Sequence, residues 1–501
     1  MGDMVTHIRS ATIVGTQAIP IDVEVDISGS WPGFQIIGLP DASIHEAKDR
    51  IRSAWKYAGL SFPHSSRIVV NLAPAHIKKK GSSFDLPIAI GMHISHTDKT
   101  YNIDTSLFVG ELTLDGHVRH VRGILPITLA AKAQGCTHIF VPKENALEAS
   151  VVPDMHVFGI STLAELIAHL DKSVPMQPTP PYSPPIISSQ KQRHDFTHIY
   201  GQCTPKRALE IAAVGGHNIR LIGPPGSGKT ALAKAFQSIL PPLGYKESIE
   251  TSCIHSIAGL LGNTPLILHP PFRSPHHSAS TAAIIGGGTT PKPGEISLAH
   301  NGVLFIDELP ECSRQLLESL RQPLEDGEVT ISRQQGAYTF PANCMFVVSQ
   351  NPCPCGFAKH EEDLCICSAM EKIRYEKKLS GPLLDRIDLH VQVPKVPLEH
   401  LSTSFAEESS AQILKRVAKA REVGKQRNPH GVLNASLNTQ QVKTHCNISS
   451  ECKKFYTAAA SLLNISARSY FRTLKVARTI ADLEERPSIE KKHISEALQY
   501  R

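Results

Sequence analysis

The alternation of apolar and polar positions sets out the middle of the chain first. Ile219, Leu221 and Ile222 read as a buried strand. After a gap of glycines, Leu232, Ala235, Phe236 and Ile239 recur at helical spacing until Pro241 stops the helix. Val303 to Ile306 is an apolar run closed by two acids, as expected of a strand buried on both faces of a parallel sheet. Leu316, Leu320 and Leu324 then mark a helix. Val329 and Ile331 alternate within Glu328 to Ser332, which predicts a hairpin with Arg333 to Gly336 at its tip. Cys344 to Ser349 predicts a further buried strand, ending at Gln350 and Asn351.

Upstream the period is different. Ile19, Ile21, Val23, Val25 and Ile27 alternate strictly, the pattern of a half-exposed strand. Gln35 to Leu39 and Arg67 to Leu72 give two more strands, and Asp41 opens a helix between them. Phe108 to Leu114, Ile124 to Ala133 and His138 to Val141 read as strand, helix, strand. Residues 1–170 are therefore expected to form an α+β domain of their own. Pro175, Pro178, Pro180, Pro181, Pro184 and Pro185 exclude a helix or central strand, so 171–194 reads as a spacer. An α/β core is expected over 195–395. Helical patterns over Phe405 to Arg427, Cys452 to Leu463, Ser466 to Glu484 and Ser488 to Tyr500 predict a helical lid over 396–501. In the third of these, Arg468, Arg472, Lys475 and Arg478 form a stripe. Apart from Arg468, it is expected to be a solvated face.

Composition narrows the class. A chain of 501 residues is too long for one core, which agrees with several domains. A net charge of +6 permits an anionic partner without demanding one. No apolar run approaches the length of a membrane span, and no charged-then-apolar leader opens the chain. A cytoplasmic protein with no membrane partner is expected. Met1 to Thr6 fit a loosely specified myristoylation pattern, taken as chance. Eleven cysteines in an unexported chain point to thiols or a metal site, not to a disulfide framework.

The chemistry sits at the strand ends. Gly223, Pro224, Pro225, Gly226, Ser227, Gly228, Lys229 and Thr230 fit the phosphate-binding loop G-x-x-x-x-G-K-[ST], between a strand and a helix. Its glycines let successive N–H groups converge on anionic oxygens. Lys229 is placed to reach the β- and γ-phosphates of ATP, and Thr230 to hold Mg²⁺. Asp307, at a carboxyl strand end, is expected on the same Mg²⁺, and Glu308 on the attacking water. A polar side chain at the Gln350–Asn351 strand end would face the γ-phosphate. Arg386, just after a helix, is placed to serve a neighbouring subunit as an arginine finger. Arg333, at the polar hairpin tip, suits a phosphate backbone. Ile199, Tyr200 and Gly201 are candidates to line an adenine pocket. Cys353, Cys355, Cys365 and Cys367 supply four thiolates for tetrahedral Zn²⁺, with His360 between the pairs as a substitute ligand. His276 and His277 lack an acid or Cys at metal spacing, so no metal is expected there.

Several stretches carry a resemblance. Gly110 to Asn145 is similar to the proteolytic domain of Lon proteases and to the Lon-like domain of RadA-type proteins. Ser83 falls roughly at the nucleophile position, but Leu125 stands where Lon has its Lys. The resemblance thus implies the fold and argues against peptidase activity. GPPGSGKT, FRSPHHSAS, PGEISLAHNGVLFIDELPE, QNPCPCG, KLSGPLLDRID and SARSYFRTLKVARTIADL together resemble the ComM/YifB family, in the magnesium-chelatase-like branch of AAA+ ATPases. That resemblance implies nucleotide contacts by Lys229 and Thr230, and hydrolysis by Asp307 and Glu308. It implies Asn351 as γ-phosphate sensor, Arg386 as trans-acting finger and Arg468 as lid sensor. It further implies a homo-hexameric ring that acts on single-stranded and branched DNA, a helicase for branch migration during natural transformation. The alternative class is an ATP-driven protein remodeller, either a chelatase-like subunit or a Lon-like protease.

Overall fold

The alternation along residues 19–27 becomes one long strand, and its buried side chains are Ile21, Val23 and Val25. The computed structural model describes residues 5–29, 31–97, 99–184, 194–262, 264–288, 291–333, 336–357, 365–396 and 407–501. Its contacts divide the chain into two compact units, residues 1–186 with 249–267, and residues 187–248 with 268–501.

The first unit is built on a seven-stranded sheet. Its strands are β1 (Thr6–Val14), β2 (Gln17–Ser28), β3 (Gly33–Ile37), β4 (Arg67–Ala73), β5 (Ser106–Phe108), β8 (His138–Pro142) and β9 (His156–Ile160). A two-residue pair, β6 (Glu111–Leu112) with β7 (Val118–Arg119), lies between β5 and β8 in sequence. The sheet order is β3-β4-β2-β1-β5-β8-β9. The apolar Leu86 to Ile90 segment is helical, within Asp85–His96, and its whole length is buried because it packs on β1 and β2. Asp85 opens that helix under Arg50, with bonds of 2.7 and 3.0 Å. Burial pushes its carboxyl up to about 6, and the guanidinium opposes the rise. Leu125 is fully buried, and its N–H donates to Glu148 Oε1 at 2.8 Å.

Residues 249–267 belong to this unit although they follow the phosphate loop in sequence. Gly123 N–H donates to Ser256 O at 3.2 Å, and the Ser256 hydroxyl donates to Glu148. These residues fall within the 195–395 stretch read from sequence as the α/β core, and by their contacts they pack with the N-terminal unit.

The second unit holds a five-stranded parallel sheet: β10 (Ile219–Ile222), β11 (Phe272–Arg273), β14 (Val303–Ile306), β17 (Met345–Gln350) and β18 (Leu389–Gln392), in the order β11-β14-β17-β10-β18. β10 lies between β17 and the edge strand β18, in parallel register with both. Two small hairpins stand apart from it, β12 (Gly286–Gly287) with β13 (Lys292–Pro293), and β15 (Glu328–Arg333) with β16 (Gly336–Pro341).

The C-terminal helices have no core of their own. Ile413 and Val417 from Ser410–Arg427, Val476 and Ile480 from Ala467–Leu483, and Ile494 from Lys491–Gln499 join Ile219, Leu221 and Leu232 in one apolar cluster. Hydrophobic burial then holds helices and sheet together without a separate interface. Phe405 lies outside the described residues.

The arginine stripe on Ala467–Leu483 is not the solvated face that was expected. Arg472 and Arg478 are buried, and Lys475 donates to Ala435 O at 2.8 Å. Arg478 is spent on Asp482 and on the carbonyls of Arg486 and Pro487. Asp482 also takes Arg427 and Asn434. The stripe faces inward because paired acids and free carbonyls meet it there, and helical spacing does not report such partners.

Asp482→Ala strands two guanidinium groups, so it should cost about 3–5 kcal/mol. Urea unfolding followed by circular dichroism measures this. Both tryptophans, Trp31 and Trp55, lie in the other unit, so their fluorescence should not track the loss. Lys419→Ala, which breaks an exposed pair with Glu485, should change stability by less than about 1 kcal/mol.

Candidate nucleotide site

The carboxyl ends of β10, β14 and β17 meet at one edge of the parallel sheet, where ligands bind in folds of this type. The loop after β10 runs from Gly223 to Gly228 and feeds the Lys229–Phe236 helix. Gly223 has no room for a side chain, since a Cβ would lie 2.2 Å from Val393 O. Gly226 and Gly228 take φ of 75° and 91°, the left-handed region that glycine enters without strain. The helix N-terminus therefore points its free N–H groups at the loop's concavity, the arrangement that receives anions.

Lys229 is buried, and its ammonium donates to Gly223 O at 2.7 Å, Pro224 O at 2.8 Å and Asn351 Oδ1 at 3.2 Å. Burial pulls its pKa down, and Asp307 and Glu308 oppose the fall. Thr230 Oγ1 donates to Asp307 Oδ2 at 2.9 Å. The residues expected around nucleotide and Mg²⁺ thus come together as two hydrogen-bonded pairs, Lys229 with Asn351 and Thr230 with Asp307, with Glu308 next in sequence to Asp307. Of the two polar residues ending β17, Asn351 is the one that turns to the loop. Gln350 is buried and accepts from Arg220 Nε at 2.8 Å.

The donor set suits a triphosphate with its metal. Ser227 Oγ and Gln202 Oε1 are buried beside the loop without a partner. Gln202 Nε2 reaches Ser227 O at 3.3 Å and Pro394 O at 2.6 Å. The unpaired Ser227 hydroxyl, within the loop, is a donor for a ligand oxygen. Tyr200 is exposed and Ile199 lies at the edge of the core, so they flank this region without closing it.

Three functional neighbours carried no sequence signal. Ser349 donates its hydroxyl to Asp307 and accepts from Glu308 N–H at 3.1 Å, which ties the two acids to β17. Gln202 sits in left-handed backbone beneath the loop. Glu325 binds both distant arginines: it accepts from Arg386 and, at 3.1 Å, from Arg468. Arg386 also donates to Pro382 O at 2.6 Å. Those two arginines, expected in separate roles, share one carboxylate. Arg333 is exposed at the end of β15; the tip residues 334 and 335 lie outside the described residues.

The four cysteines converge. Cys353 Sγ lies 3.3 Å from Cys355 and 3.9 Å from Cys365, and Cys355 lies 3.7 Å from Cys365. All four sulfurs, Cys367 included, fall within 4.8 Å of one another. Tetrahedral Zn²⁺ with bonds of about 2.3 Å would separate sulfurs by about 3.8 Å. A hydrogen bond from Phe357 N–H draws the Cys355 thiol below its ordinary range, toward the ligating thiolate form. His360 lies outside the described residues. The rings of His276 and His277 lie 4.1 Å apart, tilted by 33°, and join no metal-ligating group among the described residues.

The model described as magnesium chelatase, subunit ChlI, matches residues 195–401, and that for the ChlI C-terminal region matches 407–501. A third, subunit ChlI of Mg-chelatase, matches 23–145. Competence protein ComM of Haemophilus influenzae is 42% identical over 499 residues, covering 99% of this chain and 97% of that protein. YifB of Escherichia coli is 40% identical over 499 residues, covering 99% and 96%. DNA repair protein RadA of Listeria monocytogenes is 32% identical over 95 residues, covering 19% and 21%.

The cysteine loop packs on the phosphate loop at Gly356, where φ is 93° and a Cβ would lie 2.6 Å from Pro225 Cδ. Gly356→Ala should therefore push on the loop and weaken nucleotide binding, by about tenfold for a misfit of this kind. Titration with a fluorescent ATP analogue measures it. Gly381→Ala, a position with open space around it, is the control and should bind as the parent does.

Proposed function

Because this chain belongs to the magnesium-chelatase-like ComM/YifB family of AAA+ ATPases, we propose that it couples ATP hydrolysis to movement along DNA. In this reading it is a cytoplasmic homo-hexamer that acts on single-stranded and branched DNA. It drives branch migration of recombination intermediates during natural transformation. The observation that carries the reading is similarity to a competence protein over 99% of this chain, which also pairs Lys229 with Asn351 and Thr230 with Asp307. No described helix is long and apolar enough to cross a membrane.

The residues divide the work by position. The loop from Gly223 to Gly228 and Lys229 bind the triphosphate. In leaving the carbonyls of Gly223 and Pro224 for phosphate oxygens, Lys229 exchanges neutral acceptors for charged ones, which strengthens its bonds. Thr230 and Asp307 would hold Mg²⁺, which supplies positive charge to the phosphate oxygens. Glu308 orients and polarises the attacking water. Asn351, already on Lys229, senses the γ-phosphate. Arg386 completes the site of a neighbouring subunit, with Arg468 in the lid as a second cation. Arg333 contacts the DNA backbone, so binding should weaken with salt.

The test is ATPase rate with and without DNA, followed by unwinding of a synthetic four-way junction. Glu308→Gln should bind ATP and lose turnover by about a hundredfold or more. Arg386→Ala should assemble and bind ATP yet fail to hydrolyse it. Rings mixed from the two variants should regain activity, since an intact Glu308 then meets an intact Arg386. Arg333→Ala should lower DNA-stimulated turnover more than basal turnover. Turnover indifferent to DNA would favour the protein remodeller, the reading suggested by the chelatase name of the matching models.

The four sulfurs carry a zinc proposal. Cys353, Cys355, Cys365 and Cys367 would bind one Zn²⁺ and brace the loop that starts beside Asn351. Elemental analysis of protein purified without added metal should find about one zinc per chain, as a four-thiolate site requires. Cys365→Ser with Cys367→Ser should lose the zinc and lower the melting temperature. Zinc-free protein with four freely titrating thiols would refute the site.

A further inference from the structure

One face of the first unit's sheet carries a group of ligating side chains that the nucleotide chemistry does not use. β1 and β2 pair antiparallel, with His7 opposite Glu24 and Arg9 opposite Asp22. Asp22 and Glu24 alternate with the buried Ile21, Val23 and Val25, so both carboxylates stand on the face away from that core. His7 alternates with the buried Ile8 in the same way, and its Nδ1 is 2.8 Å from Asp22 Oδ2. One ligand atom from each of His7, Asp22 and Glu24 falls within 4.8 Å of the other two. Asn71 on β4 donates to Glu24 Oε2 at 2.8 Å, which holds that carboxylate in place.

The charge around this group favours a cation over a plain ion pair. Arg9 stands across the ladder from Asp22 as its natural counter-charge, yet its guanidinium turns to Cys136 Sγ at 3.7 Å. One imidazole is left to face two carboxylates, which repel at this distance unless a cation lies between them. A cleft of about 820 Å³ opens beside them, its walls including His7, Arg9, Ser10, Asp22, Asp104 and Gln134. Gln134 caps the carboxyl end of the Ile124–Ala133 helix, whose dipole adds negative potential to that wall. Ser10 is 1% exposed, and its hydroxyl has no partner among the described residues. A buried hydroxyl in that state is a ready contact for water held on a metal.

We propose that His7, Asp22 and Glu24 bind one divalent transition-metal ion, whose remaining coordination positions open to the cleft. Three protein ligands with an open position are the arrangement of sites that take an exogenous ligand, whereas structural zinc is closed by four. Bonds of about 2.1 Å put neighbouring ligand atoms about 3.0–3.4 Å apart. His7 and Asp22, at 2.8 Å, are already close to that spacing, and the metal takes the place of the proton between them. Both side chains are exposed enough to close the remaining distance by rotation. An imidazole ligand disfavours Mg²⁺ and Ca²⁺, and carboxylates in place of thiolates set the group apart from the cysteine loop. The set suits Mn²⁺, Fe²⁺ or Zn²⁺.

The experiment titrates Mn²⁺ into the full chain without nucleotide and follows free and bound ion by electron paramagnetic resonance. Mn²⁺ is the probe because thiolates bind it poorly, which keeps the cysteine loop silent. The parent should bind about one Mn²⁺ per chain more than His7→Ala does, the stoichiometry of a three-ligand site. Glu24→Gln should weaken that ion by about a hundredfold or more, and Asn71→Ala, which only frees Glu24, by about tenfold. The bound ion should show the spin-echo modulation of a ligating nitrogen in the parent and lose it in His7→Ala. Asp26→Asn alters a carboxylate on the same face of β2 and should bind as the parent does, which separates a built site from acids that gather cations. Equal Mn²⁺ binding by the parent and His7→Ala would overturn the proposal. A parent spectrum without nitrogen modulation would do the same, as would an equal loss in Asp26→Asn. Should His7→Ala fail to fold, Glu24→Gln and the nitrogen signal of the parent decide the question.

Discussion

The second unit depends on what happens at the carboxyl edge of its parallel sheet. Thr230 follows β10, Asp307 follows β14, and Ser349 lies near the end of β17. Hydrogen bonds from Thr230 and Ser349 to Asp307 join three strand ends that the backbone ladder alone leaves open. Two hydroxyl donors on one carboxylate satisfy a charge that would be costly to leave bare at this depth. The same bonds fix where Asp307 and Glu308 sit relative to Lys229. The site is thus organised before any ligand arrives, which lowers the ordering cost of binding.

Lys229 shows the other side of that constraint. A buried ammonium needs acceptors, and without phosphate it takes them from Gly223, Pro224 and Asn351. The loop is therefore braced by the residue that would bind its ligand. Two further supports press on the loop from outside, Val393 O against Gly223 and Gly356 against Pro225. Since β18 leads into Val393 and the cysteine loop carries Gly356, distant segments of chain fix the shape of eight consecutive residues.

The C-terminal helices are tied to the sheet by apolar packing and by buried charge together. His217 is fully buried between Asp388 Oδ2 at 3.1 Å and Thr479 Oγ1 at 2.8 Å, so it links the strand after Arg386 to the Ala467–Leu483 helix. Arg472 approaches the same Asp388 at 3.8 Å. Arg386 and Arg468 lie on Glu325 at the exposed side of this junction. The helical region thus shares both a core and a polar network with the sheet.

The sequence by itself determined the phosphate loop, the acid pair after β14, the parallel strands around them and the helical end of the chain. Each is local: contiguous residues of fixed type, or one period sustained over a single element. Tertiary structure decided what those elements meet. The Arg472–Arg478 stripe read as solvated because spacing reports which residues share a face, not that Asp482 and free carbonyls lie opposite. Residues 249–267 read as part of the central core because helical pattern is blind to which sheet a helix packs on. Ser349, Gln202 and Glu325 were illegible as a group, since each meets a partner at least 25 residues away in sequence. The convergence of four sulfurs lay between these cases: the spacing suggested it, and only the folded loop brought Cys365 to Cys353.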